Sequence, residues 1–276
     1  MSKHGDAGLP SVDTHFHVFA RSAPVVADAR YRPTYDATLQ AWRALATAAG
    51  VVRGVVVQPS FLGSDNGQLL DALADGGDTL RGVAALDPDT RTAELPSLHR
   101  AGVRGFRWNL VGRRDDARER HAGWRALALQ AHTLGWHLEL HTDPGRLPDA
   151  LALLPEAPIA VVVDHFGRLP LEPAQWRESF EAVERASRAR DVYVKLSAPY
   201  RSPGLDHRAA ARAWRAAVGE HRLLWGSDWP WTNHEQGQDY WALTRRLGDW
   251  LGGEVGAAAI DRNAERLFGW DAGSGA

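Results

Sequence analysis

The segment Val12-Asp-Thr-His-Phe-His17 ends a short apolar run with two histidines that stand two residues apart. In an extended strand, residues two apart point to the same side, so His15 and His17 project together. Later segments repeat this pattern of an apolar run followed by polar residues. They are Leu138-Glu-Leu-His141, Val163-Asp-His-Phe-Gly-Arg168, Tyr193-Val-Lys195 and Trp225-Gly-Ser-Asp-Trp-Pro230. A closed parallel barrel is the simplest architecture that brings the ends of such distant strands to one point.

Strand-like and helix-like patterns alternate along the chain. The predicted strands are residues 11–18, 53–60, 81–87, 103–110, 136–142, 159–166, 192–199 and 223–229, and two helices near 239–251 and 257–268 close the chain. Eight strands alternating with helices form either an open doubly wound sheet or a barrel. No glycine-rich phosphate loop follows the first strand, and the polar residues end strands, where barrel enzymes build their sites. The sequence therefore predicts a single (β/α)₈ TIM barrel of the α/β class.

The organisation predicted for the 276 residues is one barrel over 12–270, with a disordered or extended N-terminus over 1–11 and a flexible tail over 271–276. The long segment 18–36 is predicted to cover the barrel mouth. Because the net charge is −2 with no basic stripe, no nucleic-acid partner is expected. No apolar run could cross a membrane, and no signal-peptide core lies near the N-terminus, so we expect a cytoplasmic protein without a membrane partner. The oligomeric state is left open as a monomer or a homo-oligomer.

The candidate catalytic residues are imidazoles and one carboxylate at strand ends: His15, His17, His165 and Asp228. Imidazoles can polarise a carbonyl while an aspartate deprotonates water, and this combination is typical of hydrolysis. The chain has no cysteine, which excludes thiolate catalysis and cysteine-ligated zinc. His15, His17, His141 and Asp228 are of the ligand types that bind Zn²⁺. The residues leave two alternatives open: no metal, or one divalent ion such as Zn²⁺ or Mn²⁺.

Arginines at the same strand ends indicate an anionic substrate. They are Arg107, Arg113, Arg168 and Arg201. Guanidinium groups bind carboxylates in a bidentate manner and stay charged. Ser60 and Tyr31 could add neutral hydrogen bonds to the substrate. Lys195 is expected to be buried either as a counterion for acids or as a general acid. Glu139 is expected to be a structural partner of Lys195 or of an arginine.

These motifs resemble the amidohydrolase superfamily, and within it the amidohydrolase 2 branch of lactonases. The stretches that carry the resemblance include Gln58-Pro-Ser-Phe-Leu-Gly-Ser-Asp-Asn66 and Gly102-Val-Arg-Gly-Phe-Arg-Trp-Asn109, besides the segments given above. The resemblance implies a barrel that opens a small carboxylated lactone of the 2-pyrone-4,6-dicarboxylate kind, in the catabolism of aromatic compounds. It also implies that Asp228 activates water without a metal, among His15, His17 and His165.

The resemblance further implies that substrate carboxylates are held by Arg107, Arg113, Arg201, Ser60 and Tyr31. His141 departs from the pattern, because the lactonases carry a tyrosine at the end of strand 5, whereas metal-binding members of the superfamily carry a histidine. Two alternatives follow for the function. One is a metal-dependent decarboxylase of an aromatic or pyrone acid, and the other is a lactonase acting on a sugar lactone or a sulfomuconolactone.

Overall fold

A computed structural model describes residues 8–113, 121–252 and 255–270, and they alternate between strands and helices as predicted. The eight strands are β1 (Val12–Phe16), β2 (Arg53–Val57), β3 (Leu80–Ala84), β4 (Val103–Asn109), β5 (His137–His141), β6 (Ala160–Val163), β7 (Val192–Ser197) and β8 (Leu223–Gly226). Each lies within one predicted strand or overlaps it. The observed strands end two to three residues earlier in most cases, because the polar strand ends turn into loops that line the mouth.

The strands form one parallel sheet in the order β1 to β8. The sheet closes through the segment after β8: Asp228 N donates to the carbonyl of His15 at 2.8 Å, and His17 N donates to the carbonyl of Trp229 at 2.8 Å. The predicted (β/α)₈ barrel is therefore confirmed. Since both closing hydrogen bonds involve backbone groups of the His-x-His pair, barrel closure itself sets the position of His15 and His17 beside Asp228.

The helices cover the outside of the barrel. In the described residues they are α1 (Leu39–Ala48), α2 (Gly67–Gly76), α3 (Leu95–Arg100), α4 (Gly123–Thr133), α5 (Leu147–Ala152), α6 (Arg177–Ser187), α7 (His207–Val218), α8 (Tyr240–Leu251) and α9 (Ala257–Phe268). Side-chain oxygens of Thr38, Asp206 and Asp239 cap α1, α7 and α8 by accepting backbone N–H groups. The two six-residue helices α3 and α5 were not predicted, because so short a helix shows little periodicity.

Two apolar cores stabilise the barrel. The larger one lies between the sheet and the helices, where Phe16 of β1 stacks on Trp42 of α1 with ring centroids 3.9 Å apart. Gly54 of β2 permits this approach, since a Cβ there would lie 2.5 Å from Trp42. The smaller core fills the barrel interior and is closed by Phe268 of α9. The inward positions above this core are polar, and they build the site.

The described helices include none that is both long and apolar enough to cross a membrane. The predictions made for residues 1–7 and for the tail at 271–276 lie outside the described residues.

Candidate active site

Asp228 lies at the centre of a buried cluster at the carboxyl end of the strands. Its Oδ2 accepts hydrogen bonds from Arg201 Nε and from the hydroxyl of Tyr200, both at 2.6 Å. Its Oδ1 has no hydrogen-bond partner among the described residues. This free oxygen faces His17 Nε2 at 3.4 Å, His15 Nε2 at 3.5 Å and His165 Nε2 at 3.9 Å. One carboxylate oxygen is therefore anchored, and the other is presented to the imidazoles.

The structure brings the histidines predicted from the sequence together. The ring centroids of His15 and His17 are 5.0 Å apart, those of His15 and His165 are 4.9 Å apart, and those of His141 and His165 are 4.6 Å apart. All four imidazoles are buried. The predicted catalytic set thus forms one cluster, and His141 adjoins it beside His165.

The backbone around this cluster adopts left-handed conformations that side chains rarely take. The φ angle is 53° at His165 and 56° at Asp228. Such conformations cost free energy unless the surroundings hold them, and they occur preferentially at functional sites. A close approach of the backbone explains Gly226 at the end of β8, because a Cβ there would lie 2.6 Å from Cβ of His15. The absence of a side chain at this position lets β8 bring Asp228 against β1.

Hydrogen bonds to the second ring nitrogen determine what each histidine offers to the site. His17 Nδ1 lies 2.7 Å from the carbonyl of Val57, which can only accept, so His17 keeps a lone pair on Nε2 unless it is protonated. His141 Nδ1 lies 3.1 Å from Arg107, which can only donate, so Nε2 of His141 carries the hydrogen. His165 Nδ1 lies 2.9 Å from the hydroxyl of Ser197, which allows either tautomer.

A network of buried charges lies beneath the imidazoles. Asp164 Oδ2 accepts from Nε of Arg107 at 2.9 Å and pairs with its terminal nitrogen at 2.8 Å. Lys195 Nζ lies 2.5 Å from Glu139 Oε1, 3.5 Å from Asp164 Oδ1 and 3.1 Å from His15 Nδ1. The expected pairing of Lys195 with Glu139 is therefore present. Buried charges are tolerated where they are paired in this way.

The electrostatics of the cluster keep Asp228 ionised and keep three of its imidazoles neutral. Burial alone would raise the pKa of Asp228, but the charge of Arg201 outweighs it and holds this pKa well below its ordinary value. Burial, reinforced by the charge of Lys195, lowers the pKa of His15 to about 3. Burial also lowers the pKa values of His141 and His165 well below the ordinary value for histidine. At neutral pH the site therefore combines a carboxylate with the neutral imidazoles of His15, His141 and His165.

Part of the cluster has the geometry of a metal site. One ligand atom each from His15, His17 and Asp228 lies within 4.8 Å of the others, and the same holds for His15, Asp164 and His165. Separations of 3.4–3.5 Å between Asp228 Oδ1 and the two imidazole nitrogens suit neighbouring ligands of one zinc ion. His17, His15 and Asp228 therefore fit a divalent ion. His141, the fourth predicted ligand, belongs to neither group.

The predicted substrate-binding residues line two adjoining cavities at the mouth. The smaller cavity, of about 80 Å³, contacts His17, Tyr31, Arg107, Arg168, Arg201 and Asp228, among others. The larger cavity, of about 630 Å³, contacts Arg113 as well, and Ser60 and Arg107 line both. The hydroxyl of Tyr31 donates to Glu235 Oε1 at 2.5 Å, so this bond ties the loop after β1 to the loop after β8. The segment 18–36 thus lies against the mouth.

Sequence reasoning missed four polar residues that build the site. Asp164 precedes His165 in the motif after β6 and pairs with Arg107; a carboxylate next to a strand-ending histidine was the available signal. Tyr200 binds Asp228 and is followed by Arg201 in the chain. Asp13 accepts from Trp42, Tyr240 and Ser227, and so ties β1 to α1, α8 and the end of β8. Arg30 lines both cavities from the loop after β1, and no local pattern distinguishes it.

A parallel barrel whose strand ends converge on an ionised aspartate and neutral imidazoles defines a hydrolase. The model of the amidohydrolase family matches residues 12–270, and the chain belongs to this family. It is 33% identical over 238 residues to the 2-pyrone-4,6-dicarboxylate hydrolase of Comamonas testosteroni, covering 81% of this chain and 77% of the relative. It is 30% identical over 231 residues to the 4-sulfomuconolactone hydrolase of Rhizobium radiobacter, covering 79% of this chain and 75% of the relative.

A solved structure is similar to this chain in both fold and sequence. A protein from Acinetobacter baumannii, described as a probable 2-pyrone-4,6-dicarboxylic acid hydrolase and solved with citric acid bound, matches with a TM-score of 0.83 and 29% identity. The match covers 95% of this chain and 100% of that one.

Proposed function

We propose that this enzyme hydrolyses a small carboxylated lactone, with 2-pyrone-4,6-dicarboxylate as the model substrate. The observation that carries the proposal is the asymmetry of Asp228. Arg201 and Tyr200 occupy one carboxylate oxygen, whereas the other is free and buried beside three imidazoles. The two relatives that act on lactones are similar over about four-fifths of this chain. Several guanidinium groups around the same cavities favour an anionic lactone over a neutral one.

Asp228 is the base in this mechanism. Its free Oδ1 accepts a proton from water, and the water oxygen attacks the lactone carbonyl. The ring C–O bond then breaks, and the departing oxygen takes back the proton that Asp228 accepted. The second hydrogen of the water is released as a proton when the new carboxylic acid ionises. A low pKa makes a carboxylate a weak base. However, an anionic substrate entering beside Arg201 offsets part of the positive potential that holds the pKa of Asp228 down, so its proton affinity rises when the substrate binds.

Neutral imidazoles stabilise the charge that develops on the carbonyl oxygen. His141 presents Nε2–H, because Arg107 donates to its Nδ1. His15 presents Nε2–H when Lys195 donates to its Nδ1. Both nitrogens lack a partner among the described residues, so they are free to donate to an oxyanion. Fixed donors in a buried site stabilise such charge more strongly than water does.

One bound divalent ion, Zn²⁺ or Mn²⁺, is the alternative to a metal-free mechanism. His17 and Asp228 would hold it, joined by His15 only with the hydrogen of that imidazole on Nδ1 instead of Nε2, and it would polarise the lactone carbonyl as a Lewis acid. In either case Arg201 and Tyr200 orient Asp228 through Oδ2.

The test is a panel of lactones assayed with a pH indicator, since each ring opening releases a proton. We expect 2-pyrone-4,6-dicarboxylate to be hydrolysed with a higher kcat/KM than neutral sugar lactones. Chromatography of the products distinguishes hydrolysis from release of carbon dioxide, which a decarboxylase would produce. A preference for neutral sugar lactones, or carbon dioxide as the product, would contradict the proposal.

A further inference from the structure

The guanidinium groups at the mouth differ in whether the protein already balances their charge. Arg107 is held by Asp164 through two nitrogens, at 2.9 and 2.8 Å. Arg201 is held by Asp228 at 2.6 Å. Both arginines therefore orient carboxylates that belong to the site. Their charge is largely offset before any substrate arrives, and their removal would disturb the site itself.

Arg30 and Arg168 lack this compensation. Within residues 8–113, 121–252 and 255–270, neither forms an ion pair with a carboxylate, and only Asp143, for both, and Asp228, for Arg168, act on them favourably from a longer distance. Both line the smaller cavity, which also contains His17, His165 and Asp228. Nε of Arg168 is buried without a hydrogen-bond partner among those residues. These two cations are thus available to an anionic ligand.

Arg30 is placed where it can contact a part of the substrate remote from Asp228. It extends from the loop after β1 to the end of β4, where its terminal nitrogen lies 3.4 Å from Asn109 Oδ1. Its stem passes over Gly112, since a Cβ there would lie 3.3 Å from Cδ of Arg30. Arg30 lines both cavities and remains accessible to solvent.

The surroundings of Arg30 are predominantly positive. Burial lowers the pKa of Arg30, and the positive charges of Arg107, Arg201 and Arg113 lower it further. Asp143 raises this pKa. Like charges gathered at one mouth repel one another, so holding them there costs free energy that an anionic ligand recovers. One arginine without an ion-pair partner would suit a monoanionic ligand. The two arginines Arg30 and Arg168 suit a ligand with two carboxylates.

We propose that Arg30 is a specificity-determining residue that binds a substrate carboxylate remote from the reacting carbonyl, and so selects dicarboxylated over monocarboxylated lactones. This proposal rests on the proposed function. Arg32 provides a matched control, because it lies two residues away in the same loop, is exposed and lines neither cavity. Arg32→Met removes the same charge as Arg30→Met and therefore has the same effect on long-range attraction of an anion.

The experiment compares wild type, Arg30→Met, Arg30→Lys and Arg32→Met on 2-pyrone-4,6-dicarboxylate and on its two monocarboxylated analogues. We expect Arg30→Met to lower kcat/KM for the dicarboxylate by about tenfold to a hundredfold, mainly through KM, as the loss of a charge-assisted hydrogen bond predicts. On the analogue that lacks the carboxylate bound by Arg30, the loss should stay below about threefold, and Arg30→Lys should be intermediate. Arg32→Met should match wild type.

Equal losses on all three substrates, an Arg30→Met variant within threefold of wild type on the dicarboxylate, or the same loss in Arg32→Met would each overturn the proposal. Binding of tricarballylate, measured by calorimetry, separates it from the proposed function. If wild type hydrolyses none of the pyrones but binds tricarballylate, the substrate assignment fails, and an affinity at least tenfold lower in Arg30→Met alone still supports the carboxylate site. Absence of both hydrolysis and tricarballylate binding in wild type would overturn both proposals.

Discussion

Lys195 Nζ lies 3.1 Å from Nδ1 of His15 inside the barrel, where both side chains are fully buried. An ammonium group can only donate, so this contact leaves the hydrogen of the neutral imidazole on Nε2, directed at Asp228. Glu139 and Asp164 hold the ammonium in place. The lysine is therefore a counterion that also determines which proton His15 offers to the site.

Replacing Lys195 with Met should destabilise the protein by about 3–5 kcal/mol, because it leaves the buried carboxylates of Glu139 and Asp164 without their cation. The double variant Lys195→Met/Glu139→Gln should recover part of this loss, since it removes one of the uncompensated charges. Urea unfolding of both variants measures the difference. If the single variant were as stable as wild type, Lys195 would not be the counterion of this network.

Replacing Asp228 with Asn should reduce kcat by about 10²–10⁴, because the side chain keeps its shape but loses its ability to accept a proton. Circular dichroism should show a folded barrel, since the backbone hydrogen bond from Asp228 to His15 does not depend on the side chain. Turnover close to that of wild type in a folded Asp228→Asn enzyme would refute the assignment of Asp228 as the base.

The two arginines Arg107 and Arg168 should respond differently to replacement by Met. Arg168 has no ion pair among the described residues, so its loss should cost about 1.5–3 kcal/mol in kcat/KM with little change in the free energy of unfolding. Arg107 holds both Asp164 and His141, so its loss should lower kcat/KM and also destabilise the fold. Steady-state kinetics and thermal unfolding of both variants separate the two roles. Equal stability of the two variants would argue against the structural role of Arg107.

The fold and the centre of the site were predictable because each depends on local sequence. Apolar runs of strand length gave the eight strands, and the two-residue spacing placed His15 and His17 on one side. The family and the hydrolysis of a lactone agree with the relatives found, whereas the roles of the individual site residues stay predictions. Arg107 was expected at the mouth, but its pairing with Asp164 depends on register between β4 and its neighbours, which the sequence does not reveal.

Other features depend on contacts between distant segments. Tyr31 was expected to bind substrate, yet its hydroxyl donates to Glu235, 204 residues further along the chain. Arg30 resembles any loop arginine in the sequence, and only the folded loop places it over the mouth. The short helices α3 and α5 escaped prediction because packing against the barrel, rather than their own periodicity, stabilises them.

Stability should begin to fall below about pH 6.5, well before the carboxylates titrate. His15, His141 and His165 have lowered pKa values in the folded state, so below about pH 6.5 the unfolded chain binds more protons than the folded one. Each of them then costs about 1.4 kcal/mol per pH unit as the pH falls. Asp228 adds a further loss only below about pH 4, since its folded pKa is depressed.

Urea unfolding between pH 5 and 7.5 measures how the free energy of unfolding depends on pH. His165→Asn should reduce this dependence by the contribution of one histidine, about 1.4 kcal/mol per pH unit. A free energy of unfolding that is constant across this range would contradict burial of three neutral imidazoles. In kinetics, the same pKa shifts predict that kcat/KM shows no inflection near pH 6.5 from His15, His141 or His165.

Metal binding should depend on His17 and not on His141. The carbonyl of Val57 keeps the hydrogen of His17 on Nδ1, which leaves a lone pair on Nε2 that faces Asp228. Arg107 has the opposite effect on His141, whose Nε2 carries the hydrogen, and His141 lies outside both groups of candidate ligands. We therefore expect His17→Ala to weaken binding of added Zn²⁺, measured by calorimetry after chelator treatment, whereas His141→Ala and His141→Tyr bind it as wild type does. Loss of zinc binding in the His141 variants would restore the four-ligand set of His15, His17, His141 and Asp228.

Hydrolysis by the same chelated samples shows whether the reaction needs a metal ion. Activity that persists after chelation shows that the imidazoles and guanidinium groups suffice. Activity that returns only when zinc or manganese is added shows that the ion is essential.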